Sequence, residues 1–161
     1  MTREFIYDQI RQFRLAVLAT TSGDHQPEAA VVGIAITREL EIVFDTVRSS
    51  RKYHNLIAQP KVALVIGWKN ETTIQFEGDA VELGASDDDG PGNSDDNGLG
   101  NSDAVKPGTN DDVYRETYYA VFPDGRDRTA TWEGLTHFVI RPRWIRYSNF
   151  NEPARIEELR F

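Results

Sequence analysis

Apolar residues in the first stretch of the chain recur at helical spacing: Phe5, Ile6, Ile10 and Phe13 follow Thr2. This predicts an amphipathic helix from about Thr2 to Phe13 with the threonine as its cap. The period then shortens. Leu15–Thr21, Glu28–Thr37 and Glu39–Asp45 are runs rich in valine, isoleucine and alanine, separated by Ser22-Gly23-Asp24, Pro27 and Thr37-Arg38. They read as a β-meander. Ser49 to Gln59 reads as a short helix stopped by Pro60, followed by strands Lys61–Trp68 and Glu71–Leu83 joined across Lys69-Asn70. In the second of these, Ile74, Phe76, Gly78 and Ala80 share one face and Gln75, Glu77 and Asp79 the other, as in a half-solvated antiparallel strand. Val113–Phe122 fits a helix ended by Pro123-Asp124-Gly125, and Leu135–Arg141 and Arg143–Ser148 finish as strands. Seven such strands with helices at the edges predict a mainly β, antiparallel architecture with peripheral helices, closed or nearly closed into a small barrel. Because the helices do not alternate with the strands, the pattern argues against a doubly wound parallel sheet.

Composition changes this picture in one place. The 161 residues, with a formal net charge of -8, are one domain's worth of chain, 1–161. Between Gly84 and Asp112, eight aspartates stand against one lysine, so that single stretch carries a net seven of the eight negative charges. It also holds six of the twelve glycines and almost nothing apolar. It is read as a mobile acidic insertion at 84–112, unable to bury enough surface to offset its ordering entropy. Asp87, Asp88, Asp89, Asp95, Asp96 and Asp103 are hard oxygen ligands, but their spacing misses the alternation and closing glutamate of a calcium loop. The rest of the chain is nearly neutral with no basic stripe, which argues against nucleic-acid binding. No run approaches the roughly 18–20 apolar residues of a membrane span. The charged N-terminus lacks the apolar stretch of a signal peptide, and a cytoplasmic address fits.

With no cysteine there is no disulfide, thiolate nucleophile or thiolate metal site. His25, His54 and His137 share no metal-ligand spacing and read as surface or helix positions, so no metal site is expected. Trp68 and Trp144 read as core anchors, and Asp124, Arg126, Asp127 and Arg128 as a solvated charged turn. One feature opposes a local preference: Arg51 and Lys52 fall in the first turn of the predicted helix, whose N-terminus disfavours cations by roughly 0.3–1 kcal/mol each. A bound phosphate, met by backbone N–H groups, by Ser49 and Ser50 and by the two cations, would offset them. The alternative is that both side chains point to solvent.

These residues meet a known pattern. Glu39–Asp45 with Thr46, the turn Val47–Ser50, Arg51-Lys52, Asn55-Leu56, Pro60 and the strand Lys61–Trp68 resemble the flavin-binding core of the pyridoxamine 5′-phosphate oxidase-like, FMN-binding split-barrel family. The likeness continues through Gly78 and resumes at Tyr118-Tyr119, Phe122-Pro123-Asp124-Gly125-Arg126, Trp132 and Arg143–Tyr147. The resemblance implies FMN held where two subunits of a homodimer meet. Position by position it implies that Arg51 and Lys52 bind the phosphate, with Ser50, Thr46 and Asp45 nearby. It further implies that Ala30, Val31, Val32 and Gly33 present backbone to the ring, and that Thr73, Trp132 and, across a one-residue gap, Arg143 approach the cofactor. The implied activity is that of an FMN-dependent oxidoreductase acting on an unidentified small molecule, with no catalytic residue assigned. The rivals are a non-catalytic flavin-binding or interaction dimer, and a split barrel that takes a deazaflavin or haem-derived ligand. The pattern also departs from the oxidases. Ala30 stands where they begin the first flavin strand with arginine, and Phe122, Phe138 and Ile140 replace residues with which they grip their phosphorylated substrate. Pyridoxamine phosphate oxidation is therefore unsupported.

Overall fold

The structure, a computed structural model, describes residues 1–84 and 110–161. Its strands are β1 (Leu15–Thr21), β2 (Pro27–Gly33), β3 (Ala35–Ile36), β4 (Ile42–Val47), β5 (Lys61–Ile66), β6 (Thr72–Glu82), β7 (Leu135–Asn149) and β8 (Arg155–Arg160). The helices are α1 (Arg3–Ile10), α2 (Arg51–Ala58), α3 (Asn110–Val121) and α4 (Gly125–Thr131). All strands pair antiparallel in the order β2-β1-β5-β6-β7-β4-β3, with β8 added to β7.

That order explains the curvature. β2 and β3 lie at opposite ends of the sheet, yet they are consecutive pieces of chain interrupted at Ile34. The Ile34 N–H turns aside to donate to the Arg14 carbonyl at 2.9 Å. A sheet whose two ends are joined through one residue has to curl back on itself, and the result is an antiparallel split barrel. Leu18, Ile42, Phe44, Leu64, Phe76 and Ile140 fill its interior, and α1 adds Ile6 and Ile10. A second, smaller core lies outside the barrel, where Tyr118 and Tyr119 of α3 pack on Val43 and Val139.

Several boundaries differ from the sequence reading for physical reasons. Glu28–Thr37 is two strands, because a straight run could not pair with β1 and β4 at once. β4 starts later than expected because Leu40 takes a left-handed turn conformation (φ 69°). Leu135–Arg141 and Arg143–Ser148 are one strand: Glu77 pairs with Trp144 and Gly78 with Pro142, so Arg143 is the extra residue of a bulge that accommodates the proline. β8 was not anticipated. The turn at Asp124–Arg128 is helical, as α4. α3 starts at Asn110, so the last residues assigned to the insertion form its first turn, where Asp111 accepts a hydrogen bond from the Gly84 N–H at 2.7 Å. The remaining aspartates of that segment, Asp87 to Asp103, lie outside the described residues. Trp68 is 56% exposed and is not a core anchor, whereas Trp144 is half-buried.

The bulge generates a prediction. A Cβ on Gly78 would run into the Arg141 carbonyl oxygen and lie 2.7 Å from Ile140 Cγ2, and backbone cannot move aside cheaply. Gly78→Ala should cost about 2–3 kcal/mol in urea unfolding. Gly23→Ala, where a Cβ would meet nothing within 4 Å, should stay within about 0.5 kcal/mol of the parent.

Candidate functional site

The site is built on the seating of α2 in the barrel mouth. Ser50 ends the preceding turn in extended conformation, and its Oγ accepts from the Tyr53 N–H at 3.2 Å. This is an N-cap, the interaction that stops the helix from extending backwards. The same hydroxyl lies 3.0 Å from Thr46 Oγ1 on β4. On the inner face of α2, Leu56 enters the core and the buried Asn55 amide donates to Thr20 Oγ1 at 3.0 Å and to Glu28 Oε2 at 2.9 Å. Those bonds fasten α2 across β1 and β2. Between them remains a cleft of about 230 Å³ lined by Leu18, Thr20, Glu28, Ala29, Ala30, Arg51 and Lys52.

The cleft brings together Ala30, Arg51 and Lys52 as the sequence suggested, with Ser50 and Thr46 at the helix start. It also supplies a group that sequence reasoning missed. The negative charge facing Arg51 is the Glu28 carboxylate, which accepts from its guanidinium. Lys52 forms no ion pair among the described residues. A second carboxylate, Glu82 at the end of β6, also lies against α2, accepting from Tyr53 Oη at 3.1 Å, Thr136 Oγ1 at 2.8 Å and Arg48 Nη2 at 2.8 Å. It is fully engaged as a strut between the helix, β7 and the turn before α2. No local pattern could have revealed Glu28 or Glu82, since each meets α2 only through strand register.

Asp45 is not brought to the cleft. Side chains alternate along β4, so Phe44 and Thr46 face the barrel and α2, while Val43 and Asp45 face α3 and α4. There Asp45 pairs with Arg128 at 3.3 Å. Arg128 is thus part of a half-buried network and not a solvated turn residue. Burial pulls its guanidinium down, but Asp45, Tyr118 and Asp124 outweigh that and raise it. Burial and the Asp45 charge push the Tyr118 phenol far above its ordinary value. His137, opposite Asp45 in the β4–β7 register, is 2% exposed and sits edge-on to Tyr118 and Tyr119 with its Nε2 unpartnered. The expectation of a surface or helix histidine therefore fails: it is a core strand residue.

The other expected residues separate. Val32 enters the core, Val31 is 62% exposed on the outer face, and Gly33 lies under the Phe122 ring. Thr73 pairs with Ser148 near the start of β6, and Arg143 pairs with Asp79 at 3.3 Å. Trp132 ends α4, exposed, with the Arg128 guanidinium 5.9 Å from its ring centre. Within one chain, neither Trp132 nor Arg143 lines the cleft beside Arg51. Among the described residues, no cluster of three histidine, aspartate or glutamate side chains is placed to hold a metal ion, and no helix is long and apolar enough to cross a membrane.

Residues 2–96 match the family model described as pyridoxamine 5′-phosphate oxidase. A curated relative, a pyridoxine/pyridoxamine 5′-phosphate oxidase of Bordetella petrii, is 33% identical over 82 residues, covering 50% of this chain. The aligned region spans 39% of that relative's length. Among solved structures, a haem-binding protein from Mycobacterium smegmatis superposes with a TM-score of 0.69 at 12% identity, over 99% of this chain and 58% of the other. A pyridoxamine 5′-phosphate oxidase-related, FMN-binding protein from Nostoc punctiforme gives 0.58 at 11% identity, over 99% and 92%. At such identities these two likenesses concern the fold.

The buried histidine predicts a pH dependence. Burial depresses the His137 imidazole below its ordinary value of 6.5, with Asp45 opposing and Arg115 and Arg128 adding to the depression. The unfolded chain therefore takes up this proton before the folded one. The stability that depends on neutral His137 is intact above the unfolded value and is lost as pH falls through the folded one. Thermal melts from about pH 7 down to about pH 5 should show a smaller loss for His137→Leu than for the parent.

Proposed function

Given that the chain belongs to the pyridoxamine 5′-phosphate oxidase family and has its split-barrel fold, we propose that it is a homodimeric FMN-binding flavoprotein acting as a small-molecule oxidoreductase. The observation that carries this reading is the α2 cleft. Two cationic side chains, a hydroxyl-capped helix start and an alanine, Ala30, small enough to admit a ligand meet at one corner. This donor set fits a phosphate ester: Arg51 and Lys52 supply charge-assisted hydrogen bonds, and the positive end of α2 favours an anion beside them. Glu28 opposes it without filling the corner, since the Arg51 side chain is 81% exposed and free to turn outward.

Bound FMN would supply the two-electron redox chemistry. The chain's own residues hold, orient and keep dry. The small Ala30 side chain lets a flat ring approach the β2 backbone, while Leu18 and Thr20 form the floor. The cleft of about 230 Å³ is smaller than the roughly 300–1,000 Å³ usual for a site that encloses a whole ligand. A second wall is required.

A second copy of the chain is the wall we propose. On the outer face of β2, β1 and β5, register sets Val31 beside Val17 beside Val65, and Ala29 beside Ala19 beside Ala63. One face of an antiparallel sheet is ordinarily polar where it meets water. This one carries valine and alanine across all three strands, as at a contact surface. It begins at the strand that also forms the cleft, so pairing through it would bring partner residues to the ligand. In that arrangement Trp132 and Arg143 would serve from the other subunit.

Arg51→Ala/Lys52→Ala should weaken FMN binding at least about 100-fold, the loss of two charge-assisted contacts, with the melting temperature little changed. Fluorescence quenching of FMN on titration reads this. Val31→Asp should convert the dimer into a monomer in light scattering, by burying an unpaired carboxylate at the contact. The absorption spectrum of the purified protein separates the rivals: flavin bands support FMN, a Soret band favours a haem-derived ligand. Anaerobic reduction by a nicotinamide donor, with turnover on reoxidation, distinguishes catalysis from passive binding.

A further inference from the structure

Glu28 occupies the position from which an anionic ligand would reach Arg51. One carboxylate oxygen accepts from the Arg51 guanidinium and the other from the Asn55 amide at 2.9 Å. The two partners differ in mobility. The Glu28 side chain is 19% exposed and held by a buried amide that also grips Thr20, whereas Arg51 is a long exposed chain lying across the cleft. The carboxylate is thus the fixed member and the guanidinium the movable one.

We propose that Glu28 is an internal competitor for the anion that this cleft takes. It neutralises Arg51 and holds the exposed guanidinium at the cleft. A phosphorylated ligand must draw Arg51 away and then share the cleft with a carboxylate that Asn55 prevents from leaving. The repulsion lowers affinity for phosphate esters but not for a ligand without phosphate, since only the former brings negative charge close to Glu28. Glu28 therefore sets how tightly the cleft holds a phosphate ester. This rests on reading the cleft as the FMN phosphate site.

Glu28→Gln tests it, because glutamine keeps an acceptor for Asn55 and removes the charge. Titration with FMN and with riboflavin, each followed by flavin fluorescence, should show FMN tightening about tenfold while riboflavin is unchanged. Thermal shift with inorganic phosphate gives a second readout, and the rise in melting temperature should be larger for Glu28→Gln than for the parent. Unchanged or weaker FMN binding, or equal gains for FMN and riboflavin, overturns the assignment. If Arg51→Ala/Lys52→Ala weakens FMN but Glu28→Gln does not tighten it, Glu28 alone has been misjudged. Failure of both parent and Glu28→Gln to bind FMN or to respond to phosphate overturns this proposal and the cofactor reading together.

Discussion

The buried amide of Asn55 is the contact on which the candidate site depends. An amide placed inside a barrel mouth needs hydrogen-bond partners, because an unsatisfied buried donor costs roughly 1–3 kcal/mol. Its partners here are Thr20 on β1 and Glu28 on β2. Satisfying it fixes α2 against two strands, and through α2 it fixes the direction in which Arg51 and Lys52 project. The Ser50 cap and the Glu82 strut secure the other end of the same helix. Cleft, cations and competing carboxylate are consequences of one helix held at both ends.

Alternation along single strands then divides the molecule into surfaces with separate duties. β4 sends Thr46 toward α2 and Asp45 toward α4, so two neighbouring residues belong to unrelated networks. β2 sends Glu28 and Ala30 into the cleft, Val32 into the core and Val31 to the outer face. A shift of one residue in either register would exchange these duties completely. The bulge at Arg143 and the interruption at Ile34 are the places where the sheet departs from that regularity, and both serve closure: one lets β7 curve past a proline, the other lets one extended run join both ends of the sheet.

Much of the fold was legible in the chain's local patterns. Thr2 caps α1 as expected, the helix before Pro60 is present although it starts at Arg51 behind a Ser50 cap, and the strand cores fall in the runs rich in valine and isoleucine. What was missed had no local signature. β8 is charged along most of its length and is a strand because β7 offers it an edge. α4 looked like a solvated turn because the contact that ties it to the sheet, Arg128 to Asp45, spans 83 positions. Trp68 and His137 exchanged expected environments, since burial depends on which face a strand turns to the core and not on residue type alone.

For the site, the sequence by itself determined that two cations would stand in the first turn of a short helix ended by Pro60. These are short-range facts of spacing, and they survive any arrangement of the remaining elements. The tertiary structure alone decided that a glutamate 23 positions earlier would face Arg51, that Asp45 would turn away, and that small apolar side chains would line up across three strands. Those outcomes depend on register and on sheet closure, which bring distant residues within hydrogen-bond reach, and no local rule encodes such distances.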